Sequence, residues 1–233
     1  MAMPVQDATG KLGGANVNAR LMEKEGFAGL LLRLRAEGIT GKALLTAMEQ
    51  TPRSLFLSAA HADAAYSDRL VPIDCGGFAE GADLVARILS LADIQPGQRV
   101  LDVGTGSGFL AAIAARLAER VLTIDRYKTL THLAQQRFQH LGLGNVIARQ
   151  ADGNKAVSGE GMFDRIIVTA SFDAMPRHYV DCLAAGGIML APIVGADGVT
   201  RLCRLLKIGS RFEREDLFAV PYSRMITGLA AAL

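Results

Sequence analysis

The chain has little of what would mark a secreted, membrane-bound, metal-binding or nucleic-acid-binding protein. Its three cysteines, Cys75, Cys182 and Cys203, are odd in number, far apart and free of any Cys-x-x-Cys spacing. That excludes a disulfide frame and a thiolate zinc site, and leaves reduced thiols in a cytoplasmic protein as the expectation. No apolar run approaches the ~20 residues needed to cross a bilayer. Residues 1–20 are small, polar and glycine-containing, without the apolar core of a secretory leader. Charge of one sign is lacking too. The 25 basic and 23 acidic residues leave a net +2, too little for a global field that would gather nucleic acid or a membrane surface. The four histidines are scattered without ligand spacing, so no metal is expected. No Ser-His-Asp order, tandem repeat or low-complexity tract is found.

What is present is a stretch around which the rest is organised: residues 99–117, RVLDVGTGSGFLAAIAARL. A short apolar run carries one acid, Asp102, breaks on Gly104, Gly106 and Gly108, and leaves along an Ala/Leu/Ile pattern of helical spacing. That predicts strand, tight turn and helix, the opening of a doubly wound α/β unit. Glycines there allow positive φ and let a ligand lie against the backbone at the start of a helix. The spacing departs from the dinucleotide fingerprint Gly-x-Gly-x-x-Gly, because the third glycine comes one residue early and Phe109 stands where the last would fall.

The remaining elements follow in order. Residues 1–20 read as a loose arm, and residues 21–233 as one domain. Within it, 21–95 form a helical cap and a loop, 96–195 the ligand-binding core and 196–233 a C-terminal hairpin. From Glu23 a helix is predicted with Phe27, Leu30, Leu31 and Leu34 inward, ended by Gly38. A second helix turns Leu44, Leu45 and Met48 inward and stops at Thr51-Pro52. Strands are predicted at 100–103, 120–125, 145–149, 166–170 and 188–194, with a helix near 176–184 ended by Gly186-Gly187. Two further strands, 200–208 and 212–222, flank a Gly209-Ser210 turn without a helix between them, which predicts an antiparallel hairpin at the sheet edge. The fold class is therefore α/β: a doubly wound, mostly parallel, seven-stranded Rossmann-like sheet with an antiparallel C-terminal hairpin and an N-terminal helical cap. The hairpin is locally basic, yet its interleaved apolar and acidic residues favour a solvated strand face over a nucleic-acid site.

Asp125 ends the second strand where a carboxylate can accept bonds from both ribose hydroxyls of a nucleoside; the alternative is a surface acid capping the next helix. Thr169 and Ser171 fall at the end of the fourth strand, beside the expected switch point. Cys75 reads either as a reactive thiol or as a small buried residue.

An acid in the strand followed by Gly-x-Gly-x-Gly resembles the pattern of S-adenosylmethionine-dependent methyltransferases. Beyond that loop, residues from about 23 to 228 resemble the protein-L-isoaspartate O-methyltransferase family. The resemblance is carried by TPRSLF at 51–56, VPI at 71–73, VLDVGTGSGF at 100–109, Asp152-Gly153, FDRIIVTA at 163–170 and AGGIMLAPI at 185–193. It implies methyl transfer to the free carboxyl of L-isoaspartyl residues, a protein-repair reaction with S-adenosyl-L-methionine as cofactor. It also implies a cofactor side made of Asp102, Gly104, Thr105, Gly106, Ser107, Gly108, Asp125, Arg126, Asp152, Gly153 and Thr169, with Asp125 on the ribose and Asp152 at the adenine amine. The partner would be an acceptor protein, peptide or small molecule, and the chain a monomer or homodimer.

The acceptor side departs from the family. Where relatives resemble Gly-Gln-Thr-Ile-Ser, this chain reads Gly76-Gly77-Phe78-Ala79-Glu80, with Asp74 and Asp83 nearby; where relatives carry Arg-Phe-Val-Pro-Leu, it reads Pro221-Tyr222-Ser223-Arg224-Met225. Asp74, Phe78, Glu80 and Ser223 are thus the candidate substrate-binding residues. An exposed Glu80 near an acceptor carboxylate would repel it by roughly 1–3 kcal/mol. That predicts weak isoaspartyl turnover and a neutral or cationic hydroxyl or amine acceptor, with Glu80 as a catalytic general base. Alternatively Glu80 points to solvent at the start of the next helix. A reading of another class is a cofactor-binding regulator that transfers no methyl.

Overall fold

The computed structural model describes residues 10–155, 157 and 159–230, and of residues 10–20 the backbone alone. Helix α1 (Gly10–Ala36) buries Leu30 and Leu34 and ends at Gly38, whose φ of +82° suits a residue without Cβ. The arm expected over residues 1–20 is therefore helical from Gly10 onward; residues 1–9 lie outside the described residues. Extending a helix already formed costs far less than nucleating one, so the turns at 23–36 carry a glycine-rich segment that would not start a helix alone.

Helix α2 (Lys42–Glu49) turns Leu44, Leu45 and Met48 inward as its spacing predicts. A 3-10 turn, Arg53–Phe56, then buries both of its end residues, and the Phe56 ring meets Phe109 edge-on at 5.4 Å. A second 3-10 turn, Ala59–Ala64, leads to a two-stranded antiparallel ribbon, β1 (Val71–Pro72) and β2 (Phe78–Ala79). Helix α3 (Ala82–Ala92) closes this cap.

The central sheet follows: β3 (Arg99–Val103), α4 (Phe109–Leu117), β4 (Arg120–Asp125), α5 (Lys128–His140), β5 (Val146–Gln150), β6 (Phe163–Val168), β7 (Leu183–Val194), β8 (Thr200–Ile208) and β9 (Arg211–Ala219). Its strand order is β5-β4-β3-β6-β7-β8-β9. Strands β3 to β7 run parallel, while β8 is antiparallel to both β7 and β9. The chain reverses its direction of travel across the sheet between β3 and β6, so a crevice opens at their C-terminal ends.

A second local expectation fails. In place of a helix near 176–184 there is a 3-10 turn, Arg177–Cys182, and β7 starts at once. Gly186-Gly187 do not end a helix. The pairing with β6 jumps from Leu183 to Ile188, and the four residues between bulge out, with Gly186 at φ +71°.

Alternation along each strand divides the core into two layers. Val100, Val121, Ile167 and Leu190 join the layer under the cap and α4. Leu101, Leu122, Ile166 and Met189 join the opposite layer with Phe172 and Tyr179. The same period puts Asp102, Thr123 and Asp125 on the cap side, although two of them are acids within buried strands.

Candidate functional site

A cavity of about 340 Å³ lies at the switch point, walled by the ends of β3, β4 and β6, by residues 73–80 and by residues 221–226. Its volume falls in the range that takes a nucleoside-sized ligand.

The glycine turn gives this cavity its floor. Gly104 has φ +105°, and a Cβ there would sit 2.3 Å from Thr169 Oγ1. That hydroxyl donates to the Gly104 carbonyl at 3.0 Å, locking β6 onto the turn. Gly106 donates its N–H to Asp125 Oδ2 at 3.0 Å, while the N–H groups of Gly104 and Thr105 go to the Ile124 carbonyl. These amides are satisfied inside the protein, so the turn contributes shape and close approach more than free donors. Gly108 has a different task from the one its motif suggests. It does not line the cavity; at φ +86° a Cβ would lie 2.9 Å from Ala134 Cβ and 3.2 Å from the Phe138 ring. Its missing side chain lets α5 pack on the start of α4. Gly108→Ala is expected to lower stability by about 1–3 kcal/mol in urea titrations, and to leave nucleoside affinity within about threefold at temperatures where the fold persists. A large affinity loss in a fully folded variant would overturn that division of labour.

Asp125 meets both sequence alternatives at once. Oδ1 accepts the N–H of Tyr127, the residue preceding α5, at 3.0 Å, while the carboxylate lines the cavity with lone pairs to spare. Burial raises its pKa, against which the N–H groups of Tyr127 and Gly106 pull downward. Arg126 and Thr169 also reach the cavity, as do Thr105, Ser107 and Gly153. Gly153 is pressed between Val103 and Met225, and its carbonyl accepts the Tyr179 hydroxyl at 2.7 Å. Asp152 does not line the cavity. Its oxygens accept the N–H groups of Asn154 and Gly228, so it ties residue 228 down beside the pocket.

Asp102 also stands back from the cavity and is 1 % exposed. Oδ2 accepts the Thr123 hydroxyl at 2.6 Å, and Thr123 in turn meets Thr105 at 2.7 Å, so the acid braces the turn from below. Oδ1 has no partner. Burial pushes its pKa up to about 8, with Glu80 and Asp125 adding to the rise and the Thr123 bond opposing it. In the unfolded chain this acid loses its proton near pH ~3.9. Its folded-state pKa is raised, so stability is full below that point and declines as pH climbs toward 8. Asp102→Asn removes the decline. Between pH 5 and pH 8 the unfolding free energy of the variant is expected to gain about 1–3 kcal/mol on the parent; a constant difference would sink this account.

On the acceptor side, Phe78 and Ser223 line the cavity, Phe78 being 59 % exposed at its mouth. Asp74 is exposed and does not line it. Glu80 follows neither expectation. It neither presents an isolated charge at the mouth nor turns to solvent at the start of α3, which begins after Gly81. It lines the inner wall, where burial raises its pKa; Arg53 and Tyr222 flank it and Asp102 is close by. Cys75 lines the cavity from a left-handed backbone (φ +61°), and burial raises the pKa of its thiol.

Sequence reasoning did not find Arg53, which is 1 % exposed and bonds the Glu80 carbonyl, nor Ile73, Tyr127, Leu130 and Ala151 of the cavity wall. Arg53 was marked only by the TPRSLF motif, and a buried arginine has no periodicity signal. Among the described residues no helix is long and apolar enough to cross a membrane, and no group of three or more His, Cys, Asp or Glu could hold a metal ion.

Comparison with known proteins agrees with this geometry. Residues 26–228 match the family described as Protein-L-isoaspartate(D-aspartate) O-methyltransferase (PCMT). A Protein-L-isoaspartate O-methyltransferase of Rhizobium meliloti is 50% identical over 204 residues, 88% of this chain and all of that one. Another, of Azorhizobium caulinodans, is 40% identical over 211 residues, covering 91% of this chain and 97% of its own. Among solved structures, a protein-L-isoaspartate O-methyltransferase of Plasmodium falciparum in complex with S-adenosyl-L-homocysteine superposes with a TM-score of 0.74 at 25% identity, over 85% of this chain and 97% of that one. The chain belongs to the protein-L-isoaspartate(D-aspartate) O-methyltransferase family.

Proposed function

We propose that the protein transfers the methyl group of S-adenosyl-L-methionine to the free carboxyl of L-isoaspartyl residues in cytoplasmic proteins, the first step of their repair. The observation that carries this reading is the nucleoside-sized cavity at the switch point, with Asp125 on one wall and the Gly104–Gly106 turn as floor, in a chain that matches the family from residue 26 to 228. The donor set fits the cofactor: a carboxylate for the ribose hydroxyls at Asp125, an apolar slot for the adenine by Ala151 and Gly153, and a side-chain-free approach at Gly104 and Gly106. When bound, the cofactor supplies an activated methyl group on its own leaving group.

The chain's task is alignment and exclusion of water. The acceptor carboxylate is ionised at pH 7 and needs no strong base. Phe78, at the mouth, covers the acceptor's approach, and Ser223 offers it a hydroxyl. Glu80 belongs to the inner wall, so the repulsion that would have favoured a neutral or cationic acceptor loses its premise. Radiolabelled methyl transfer to a peptide carrying one isoaspartyl residue tests the reading. Turnover on that peptide and none on its ordinary aspartyl counterpart is expected. Binding of S-adenosylhomocysteine without turnover on the isoaspartyl peptide would overturn the acceptor assignment.

A further inference from the structure

The inner wall of the cavity holds a group of polar side chains with few partners. Glu80 opens onto the cavity beside Gly104 and Tyr222. Behind it lie Asp102 and Arg53, each 1 % exposed. Arg53 donates one N–H to the Glu80 carbonyl, lies 4.5 Å from the Phe109 ring centroid, and leaves Nε and Nη1 without partners. Oδ1 of Asp102 is equally alone, and the Tyr222 hydroxyl sits beside Glu80 off ordinary hydrogen-bond geometry. Among the described residues no ion pair reaches the Glu80 carboxyl. Arg53 thus directs its bond to the Glu80 backbone, and the Glu80 carboxyl faces the cavity with no cation bonded to it among the described residues. A carboxylate held away from bulk water is stabilised by a cation that reaches it.

The position of Glu80 says which cation. With the ribose on Asp125, the rest of the nucleoside must run across the Gly104–Gly106 floor, and its amino-acid end then arrives at the inner wall. Resting on the cofactor assignment made above, we infer that Glu80 is the recognition residue for the α-ammonium group of the cofactor's amino-acid moiety. A carboxylate accepting from an ammonium in a water-poor site is among the stronger hydrogen bonds available to a protein.

Calorimetric titration with three ligands tests the inference without catalysis. S-adenosylhomocysteine carries the ammonium and no sulfonium; its desamino analogue lacks only the ammonium; 5′-methylthioadenosine lacks the whole amino-acid part. Glu80→Gln is expected to weaken S-adenosylhomocysteine by about tenfold to a hundredfold, and to leave the other two unchanged, which also reports that the variant is folded. In the parent, affinity for S-adenosylhomocysteine relative to 5′-methylthioadenosine should fall as pH drops and Glu80 takes up a proton, and the variant's ratio should stay flat. The groups facing Glu80 are Arg53, Asp102 and Tyr222; Asp125, on the ribose, affects both ligands alike and cancels in the ratio. Equal losses for the desamino analogue, or an unchanged S-adenosylhomocysteine affinity in Glu80→Gln, would overturn the inference. Failure of the parent to bind any of the three would instead remove the cofactor assignment on which it rests.

Discussion

Gly104→Ala is expected to abolish measurable S-adenosylhomocysteine binding and to cost about 2–4 kcal/mol of stability. Two independent penalties meet there. The backbone sits at φ +105°, where a residue with a Cβ is strained. The new methyl would also fall 2.3 Å from Thr169 Oγ1. The hydroxyl cannot simply turn away, because it bonds the Gly104 carbonyl at 3.0 Å and the Val103 carbonyl at 3.3 Å. Thr169→Ala removes the overlap but not the strained φ, so adding it to Gly104→Ala should recover part of the stability and little of the binding. Urea unfolding of the two single variants and the double variant measures the coupling between them. Strict additivity would mean that the two positions do not press on one another.

Asp125→Asn should lower affinity for S-adenosylhomocysteine and for 5′-methylthioadenosine equally, by about a hundredfold or more. The carboxylate has three demands on it: the N–H groups of Gly106 and Tyr127, each at 3.0 Å, and the hydroxyls of a ribose. An amide keeps only one acceptor oxygen and turns an NH₂ toward groups that are themselves donors. A buried donor without an acceptor costs about 1–3 kcal/mol, and losing a charge-assisted bond to ligand adds a comparable amount. The equal loss is the informative part. Asp125 acts on the ribose that both ligands share, whereas Glu80 is assigned to a group that only one of them has. A selective loss of S-adenosylhomocysteine in Asp125→Asn would place the ribose elsewhere.

Much of this could be read from the residues. The strand at 120–125 falls where its β-branched run and terminal acid put it, and the 104–108 turn has positive φ at all three glycines. Periodicity reports which face of an element is buried, and so it located Leu30, Leu34, Leu44 and Met48. It does not report what a gap is for. Gly106 and Gly108 look alike in the motif, yet one opens on the cavity and the other receives Ala134 and Phe138 of α5, a contact between elements far apart in sequence. Asp102 and Asp152 look like ligand acids for the same reason. Their partners, Thr123 in one case and Asn154 and Gly228 in the other, emerge only once strands pair and the tail folds back. Glu80 was misplaced because sequence shows a charge and not its neighbours: Arg53 lies 27 residues away in the chain and Tyr222 far beyond it. The helix expected at 176–184 failed because a 3-10 turn and a glycine bulge satisfy the same residues while starting β7 earlier.

Residues 221–226 form a wall of the cavity, and they are held there by reciprocal backbone bonds between Ser171 and residues 223 and 225 and by the Asp152 carboxylate on Gly228. A polypeptide emerging from a ribosome can pair its first five parallel strands well before this segment appears. Until it does, the crevice has one open side and Glu80 has no Tyr222 beside it. Nascent chains should thus be unable to retain the nucleoside until residues 221–228 have emerged and folded back onto the sheet.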